Sequence, residues 1–181
     1  MKKLPLLTTI FAISTFSSVA IAAEPAAATP AKPAAEAKAT AEYEGKTYSF
    51  ATEAERDKWV AAREASLYHR LGGKAAINAA VDAFYVKVLA DEKVNHFFDD
   101  VSMRKQHNKQ KEFLSAAFGG PEPWTGKDMR AAHKDLDLKE EHFAAIAGHL
   151  QSTLKDLKVP EDLIKEVMAI AASTHDDVLN K

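Results

Sequence analysis

The sequence has 181 residues, no cysteine and a formal net charge of −2. A chain without thiols has no disulfides, thiolate-bound zinc, iron–sulfur clusters or cysteine nucleophiles. Its mildly acidic balance, without a basic stripe, gives no indication of nucleic-acid binding.

The first 22 residues have the pattern of a secretory signal peptide. Lys2 and Lys3 precede an apolar run, and Ala20-Ile21-Ala22 places small residues at a cleavage site. We expect cleavage after Ala22, a periplasmic or secreted mature chain, and no stable membrane insertion afterwards. The alternative is an uncleaved anchor, because the run is nearly long enough to span a bilayer. Thr and Ser within the run favour the signal peptide.

Two short segments follow the signal peptide. Residues 23–41 contain Ala, Pro, Lys and Glu without a large apolar side chain, which predicts a disordered linker. Residues 42–65 predict a small module, in which YEGKTYSF forms a β-hairpin. A helix from about Ala51 to Glu64 then completes this module, with Thr52 as N-cap and Glu55 three residues later.

Residues 66–181 have helical periodicity throughout and predict an all-α domain with four principal helices. The first opens after Gly72-Gly73 and buries Ile77, Val81, Phe84, Val88 and Leu89. The second is capped by Ser102, ends at Gly119-Gly120, and shares a face among Met103, Gln106, Gln110, Phe113, Leu114 and Ala117.

The third helix has an apolar stripe, and Asp137 with Glu140 is predicted to cap its start. Its buried residues are Phe143, Ile146, Ala147, Leu150 and Leu154. The fourth begins at Pro160 and buries Leu163, Ile164, Val167, Ile170 and Ala171. The long irregular segment between Gly119 and about Asp137 has a length typical of functional or disordered loops.

The irregular segment ends in MRAAHKDL, where His133 could project into an apolar cavity from a short helix. For a single histidine on an apolar background, however, a hydrogen-bonded core residue is the commoner outcome, and periodicity alone does not change this. No two histidines have the H-x-x-x-H spacing of a zinc site. His142 and His149 share one face of the third helix, and a solvated helix edge explains them without a metal.

Three polar residues interrupt otherwise apolar faces on two helices, namely Tyr85, Gln106 and Gln110. A buried hydroxyl or amide is costly unless it is hydrogen-bonded. These groups could bind a ligand, or they could bond each other or the backbone.

The helical part resembles the group I truncated globins, whose fold is a two-over-two helical sandwich around haem. The resemblance covers residues 66–181 and depends on several blocks in family order: SLYHRLGG, FYVKVLADEKVNHFFDDV, MRKQHNKQKEFL, AFGGPEPWTGKDMRAAHKDL, EEHFAAIAGHL, VPEDLIKEV and DDVLNK. It implies an all-α two-over-two domain, here preceded by the hairpin-helix module.

The resemblance also implies roles for individual residues. His133 would bind the iron of haem b (iron protoporphyrin IX) as proximal ligand, and Tyr85 would donate a hydrogen bond to the bound gas. Gln106 and Gln110 would complete the distal network, and Phe98 would pack on haem. Phe97, Phe113 and Met129 are further candidates for the haem-binding wall.

Two positions depart from the family pattern. Lys109 lies three residues after Gln106, where some relatives have a side chain that binds iron as sixth ligand; a bond to a haem propionate is the alternative. Near the C-terminus, some relatives link a histidine covalently to haem, but the matching position here is Thr174, with His175 one residue later. Because one residue turns a helical side chain by about 100°, we expect extractable haem.

Residues 42–60, EYEGKTYSFATEAERDKWV, resemble a YHS-type module. The metal-binding cysteines of that module have no counterpart here, which predicts a metal-free structural or docking module.

The resemblance implies a haem protein that reversibly binds O2, NO and other diatomic gases, with CO or peroxide as further ligands. Nitric-oxide dioxygenation or peroxidase-like chemistry is a possible activity, and would need an external electron donor, since no flavin or nicotinamide motif is present. The alternatives are a gas sensor or redox partner that acts through protein docking, and a haem-free domain for apolar ligands.

Overall fold

The structure is a computed structural model that describes residues 39–181. The predicted signal peptide and most of the predicted linker, residues 23–41, lie outside the described residues. The linker boundary at residue 41 is wrong, because strand β1 (Ala39–Tyr43) begins inside it. Ala39 is buried in the module's apolar cluster, a role that a small side chain does not reveal in composition. No helix among residues 39–181 is long and apolar enough to cross a membrane.

The N-terminal module is a β-hairpin with one helix packed on it. Strand β2 (Lys46–Phe50) pairs antiparallel with β1. Glu44 and Gly45 have φ values of 49° and 75°, so both turn residues have the left-handed backbone that suits a two-residue hairpin turn. The predicted hairpin is therefore confirmed.

Helix α1 (Glu53–Glu64) closes the hairpin through Trp59. The Trp59 ring lies 4.6 Å from Tyr48 and 5.5 Å from Phe50, centroid to centroid. The predicted N-terminal cap is confirmed: the Thr52 side chain accepts from the Glu55 amide, and the Glu55 carboxylate accepts from the Thr52 amide.

The remaining chain is helical, as predicted. In chain order it forms α2 (Leu67–Arg70), α3 (Gly73–Ala90), a 3-10 helix (Asn95–Phe98), α4 (Met103–Ala117), α5 (Met129–His133), α6 (Glu140–Asp156), α7 (Glu161–Ser173) and α8 (His175–Val178). Helices α3 and α4 pack together, α6 packs on both α3 and α7, and short α5 packs on α8. The four long helices are thus two stacked pairs, and the predicted all-α sandwich is confirmed.

Three details of the predicted helices are wrong. Leu89 is 40% exposed, because neighbouring Val88 fills the buried position in the last turn of α3. Ser102 is the N-cap of α4, but its side chain makes no capping hydrogen bond. Asp137 and Glu140 do not cap α6: its N-cap is Lys139, whose amide donates to His142 Nδ1.

The hairpin caps a helix of residues 66–181, which we call the helical body. Helix α3 follows Gly72, which has no side chain with which to cap it. Instead, the Glu44 carboxylate in the hairpin turn accepts from the Lys74 amide at 2.8 Å and from the Tyr68 hydroxyl at 2.6 Å. A Cβ on Gly73 would lie 2.5 Å from Glu44 Oε1, so this cap requires a glycine at position 73.

A second set of contacts joins the module to the irregular segment before α5. The Glu122 carboxylate accepts from Lys46 Nζ at 2.8 Å and from the Tyr48 hydroxyl at 2.9 Å. Arg63 donates to the Gly119 carbonyl at 3.3 Å. The module is therefore fixed to two separate parts of the helical body.

Candidate functional site

His133 is held in one orientation at the end of helix α5. The Asp128 side chain caps this helix through the Ala131 amide at 2.8 Å. His133 Nδ1 lies 2.8 Å from the Met129 carbonyl oxygen. Because a carbonyl oxygen only accepts, Nδ1 must carry the hydrogen and Nε2 must present its lone pair.

The lone pair of His133 Nε2 faces no partner among the described residues. The side chain is 1% exposed, and Nε2 is buried without a hydrogen bond. Burial lowers the pKa of His133, which favours the neutral imidazole. A buried, neutral imidazole with its other nitrogen bonded to a carbonyl has the arrangement of a metal-binding histidine.

Helix α5 is also tied to the C-terminus. Arg130 Nη2 donates to Asp177 Oδ1 at 2.9 Å and to the Lys181 carbonyl at 2.8 Å. These bonds connect the helix that bears His133 to α8 and so limit its movement.

Three buried polar side chains on α3 and α4, namely Tyr85, Gln106 and Gln110, form a group that we call the distal cluster. Tyr85 is 1% exposed, and Gln106 and Gln110 are each 2% exposed. Gln106 Nε2 donates to the Tyr85 hydroxyl oxygen at 3.0 Å, so two of the three residues do bond each other. Gln110 Oε1 is buried and has no partner among the described residues.

The Tyr85 hydroxyl is available as a donor. Its oxygen accepts from Gln106, which leaves its own hydrogen to point elsewhere. Burial raises the pKa of Tyr85, so the group stays protonated. Tyr85 can therefore donate to a small ligand that enters this part of the core.

The predicted wall residues Phe97, Phe98, Phe113 and Met129 all belong to or pack against the main hydrophobic cluster. The Phe98 ring meets Tyr85 edge-on at 5.8 Å, and Phe113 meets Trp124 at 5.6 Å. Phe97 is half-buried and lies 5.0 Å from the His142 ring, whereas Met129 is fully buried. One apolar cleft is lined by Phe97 together with Val94, Leu138, Phe143, Ile146 and Val178.

Lys109 is half-buried on α4. It precedes Gln110 directly and follows Gln106 by three residues, so it lies near the distal cluster. Both roles considered for Lys109, binding to iron and bonding to a haem propionate, stay predictions.

Thr174 and His175, at the start of α8, have different surroundings. Thr174 is 1% exposed, and its hydroxyl donates to the Ala171 carbonyl. His175 instead bonds Glu140 at 2.7 Å and Asp176 at 2.8 Å. The carboxylates of Glu140 and then Asp176 raise the pKa of His175. The His175 ring also meets the Phe143 ring edge-on at 4.9 Å, and extractable haem stays a prediction.

A cavity of about 240 Å³ lies between α3, α4, α6 and α7. It shares Ala80, Leu114 and Leu150 with a narrower cleft that reaches Gln110. The cavity is therefore separated from the surroundings of Gln110 by apolar side chains that it shares with this cleft.

The two histidines of α6 bond to nearby groups of the protein. His149 Nε2 lies 2.7 Å from Asp91 Oδ2, and His142 accepts from the Lys139 amide.

Within residues 39–181, no group of three or more His, Cys, Asp or Glu side chains could hold a metal ion. A metal bound by His133 would therefore need its other ligands from a cofactor, and a haem ring supplies four nitrogens. The lone imidazole, the apolar wall and the distal donors fit that group.

Only a weak sequence signal indicates one further residue beside the distal cluster. The His107 ring stacks on Tyr85, with centroids 4.6 Å apart and planes at 16°. Its position next to Gln106 is the only hint that the sequence contains.

Known proteins resemble this chain over its helical part. The family model described as bacterial-like globin matches residues 66–180. A group 1 truncated hemoglobin of Synechocystis sp. is 52% identical over 122 residues, which cover 64% of this chain and 98% of that protein. The crystal structure of the 2/2 hemoglobin from Synechococcus sp. PCC 7002, in the cyanomet state with covalently attached heme, has a TM-score of 0.63 and 51% identity, covering 65% of this chain and 100% of that one.

A third relative matches the distal cluster by its spacing. The Fe(III) truncated hemoglobin of Tetrahymena pyriformis has a TM-score of 0.61 and 44% identity, covering 64% of this chain and 99% of that one. Solved variants of it change one tyrosine and two glutamines that follow the tyrosine by 21 and 25 residues. Tyr85, Gln106 and Gln110 have the same separations.

Proposed function

The chain belongs to the bacterial-like globin family, whose members carry haem, and on that premise we propose that it binds haem b through His133 and reversibly binds O2 and NO. One observation supports this proposal: His133 is buried with no partner for Nε2 among the described residues, and Met129 on the same helix belongs to the same hydrophobic cluster as Tyr85. His133 Nε2 and Gln110 Oε1 are buried without a partner among the described residues, which is costly, and each would gain a partner when haem and a gas are bound.

The chain's residues divide the work between two sides. His133 would hold the haem iron through Nε2, and that iron would take up a gas. Tyr85 donates a hydrogen bond to that gas, and Gln106 orients the Tyr85 hydroxyl. Gln110 offers a second polar group, while Phe98 and Phe113 help to exclude water. Haem, when bound, supplies the iron that takes the gas and exchanges electrons.

The activity that we propose is nitric-oxide dioxygenation. It combines NO and O2 into nitrate, with one electron per turnover from an external donor protein. A dry pocket with fixed donors favours a ligand that gains negative charge, so Tyr85 and Gln106 would retain O2 until NO arrives. CO and peroxide are further ligands of the same site.

Nitrate formation under multiple turnover tests this activity. The haem-loaded chain from Ala23 onward would receive O2, successive additions of NO, and electrons from a photoreduced flavin. We expect nitrate in excess of the protein, and a lower yield per NO for Tyr85→Phe. Nitrate limited to one equivalent would contradict the activity, whereas a normal CO difference spectrum would leave gas binding intact.

We also propose that the chain acts after export, in the periplasm or outside the cell. The pattern of Lys2, Lys3 and Ala20-Ile21-Ala22 supports export. N-terminal sequencing of protein recovered from a periplasmic extract should begin at Ala23. A chain that stays with the membrane and begins at Met1 would support the anchor instead.

The second candidate is a non-enzymatic gas sensor or redox partner that acts through docking. The module of residues 39–65 favours it, since it adds surface on helix α1 beyond the helical body. Substituting exposed Asp57 and Lys58 by Ala should weaken capture of an electron-donor protein if α1 is the docking surface. Equal electron-transfer rates would rule out that docking surface.

A further inference from the structure

Aromatic rings hold Tyr85 on three sides. His107 lies flat against the ring, with centroids 4.6 Å apart and planes at 16°. Phe84 and Phe98 meet the ring edge-on, at 5.2 Å and 5.8 Å. A flat neighbour resists tilting of the ring about its side-chain torsions, and such tilting would carry the hydroxyl away from its position.

His107 is itself fixed, by a carboxylate on the same helix as Tyr85. Its Nδ1 lies 3.0 Å from Asp82 Oδ1, and Asp82 precedes Tyr85 by three residues on α3. Lys111, one turn after His107 on α4, bonds the same carboxylate oxygen at 2.7 Å. The two helices are thus joined by a closed set of contacts through Tyr85, His107, Asp82 and Lys111.

Two successive residues of α4 act on different parts of Tyr85. Gln106 donates to the hydroxyl oxygen at 3.0 Å, and His107 covers the ring. The His107 side chain is 25% exposed. Its outer edge therefore contacts solvent, while its inner face packs on the buried ring of Tyr85. An imidazole suits this boundary, because it stacks like an aromatic ring and also bonds Asp82.

We propose that His107 is a positioning residue for the gas-binding hydroxyl of Tyr85, a role that rests on the proposed gas-binding function. His107 does not touch the gas. It keeps the Tyr85 ring upright through face-to-face contact, and Asp82 holds His107 in that place. Loss of the contact lets the ring tilt and weakens the hydrogen bond that retains the gas.

The test compares an aromatic and an aliphatic replacement at position 107. His107→Phe keeps a flat ring and His107→Leu removes it at similar size. Lys111→Met is the matched control, since it removes the other partner of Asp82 without touching Tyr85. The haem-loaded proteins are studied as CO complexes by infrared spectroscopy and as O2 complexes by stopped flow, and thermal unfolding is recorded for each.

We expect His107→Leu to broaden the C–O stretching band, shift it to higher frequency, and release O2 about threefold to tenfold faster, as expected for loss of one aromatic contact. His107→Phe and Lys111→Met should keep the band and the rate of the unmodified protein. Two results would overturn the proposal: an unchanged band and rate in His107→Leu, or equal changes in the Phe and Leu variants. Failure of the unmodified protein to bind CO would instead contradict the proposed function.

Discussion

His133 Nδ1 lies 2.8 Å from the carbonyl oxygen of Met129, and this bond determines which nitrogen of the ring can bind a metal. The acceptor is a main-chain group on the same helix, so the tautomer is set by the fold of α5 itself. The remaining nitrogen is buried and unprotonated. In the proposed function, Nε2 is therefore the ring nitrogen that would bind haem iron.

Replacement of Tyr85 by Phe should speed the release of O2. The variant keeps the ring and its contacts but removes the only donor that the hydroxyl offers. A hydrogen bond to a charged group contributes about 1.5–3 kcal/mol, so we expect release about tenfold to a hundredfold faster by stopped flow. Tyr48→Phe is the matched control, because the Tyr48 hydroxyl donates to Glu122 in the module. Equal rates in the two variants would rule out Tyr85 as the donor.

Replacement of Lys109 by Ala should leave the resting ferric and ferrous spectra unchanged. A lysine that binds iron must lose its proton, whereas one that reaches a propionate need not. We expect faster transfer of haem to an acceptor protein, by about twofold to fivefold, the effect of losing an exposed ion pair. Lys105→Ala, an exposed change on the same helix, is the control. A six-coordinate spectrum that disappears in Lys109→Ala would show the lysine to be a ligand.

Haem should extract fully from this chain into acidified butanone. The His175 ring is engaged by Glu140 and Asp176, and the buried position belongs to Thr174. The variant Thr174→His places an imidazole at that buried position, and it should retain haem after reduction if this position suffices for attachment. Haem that stays on the unmodified chain but extracts from His175→Ala would contradict this account.

Replacement of Glu44 by Ala should destabilise the helical body, although Glu44 belongs to the module. The change removes the acceptor for the Lys74 amide at the start of α3. Loss of a helix cap costs about 1 kcal/mol, which corresponds to a melting temperature about 3 °C lower. Glu42→Ala, an exposed change in the same hairpin, is the control. Equal melting temperatures would show that the Glu44 cap contributes nothing.

Local patterns predicted the parts of the fold that depend on neighbouring residues. The period of apolar residues located α3, α4, α6 and α7, and Thr52 with Glu55 located the start of α1. These signals operate within a few residues, so the sequence contains them directly.

Patterns of neighbouring residues could not predict the contacts between segments that are distant in the sequence. Glu44 caps a helix that begins about thirty residues later, and His107 finds Tyr85 only because α3 and α4 pack together. Asp137 and Glu140 matched a capping pattern, but the left-handed backbone of Asp137, with φ 48°, places the N-cap at Lys139 instead. The order of the site residues was predictable from family resemblance; the tautomer of His133 required the structure.

The visible spectrum of the haem-reconstituted protein tests the central claim most directly. We predict an intense Soret band for the unmodified chain and for His149→Ala, whose histidine bonds Asp91 away from the site. His133→Ala should lose the histidine-bound spectrum, and added imidazole should restore it. A His133→Ala spectrum identical to that of the unmodified protein, or an unmodified protein that binds no haem, would contradict the claim.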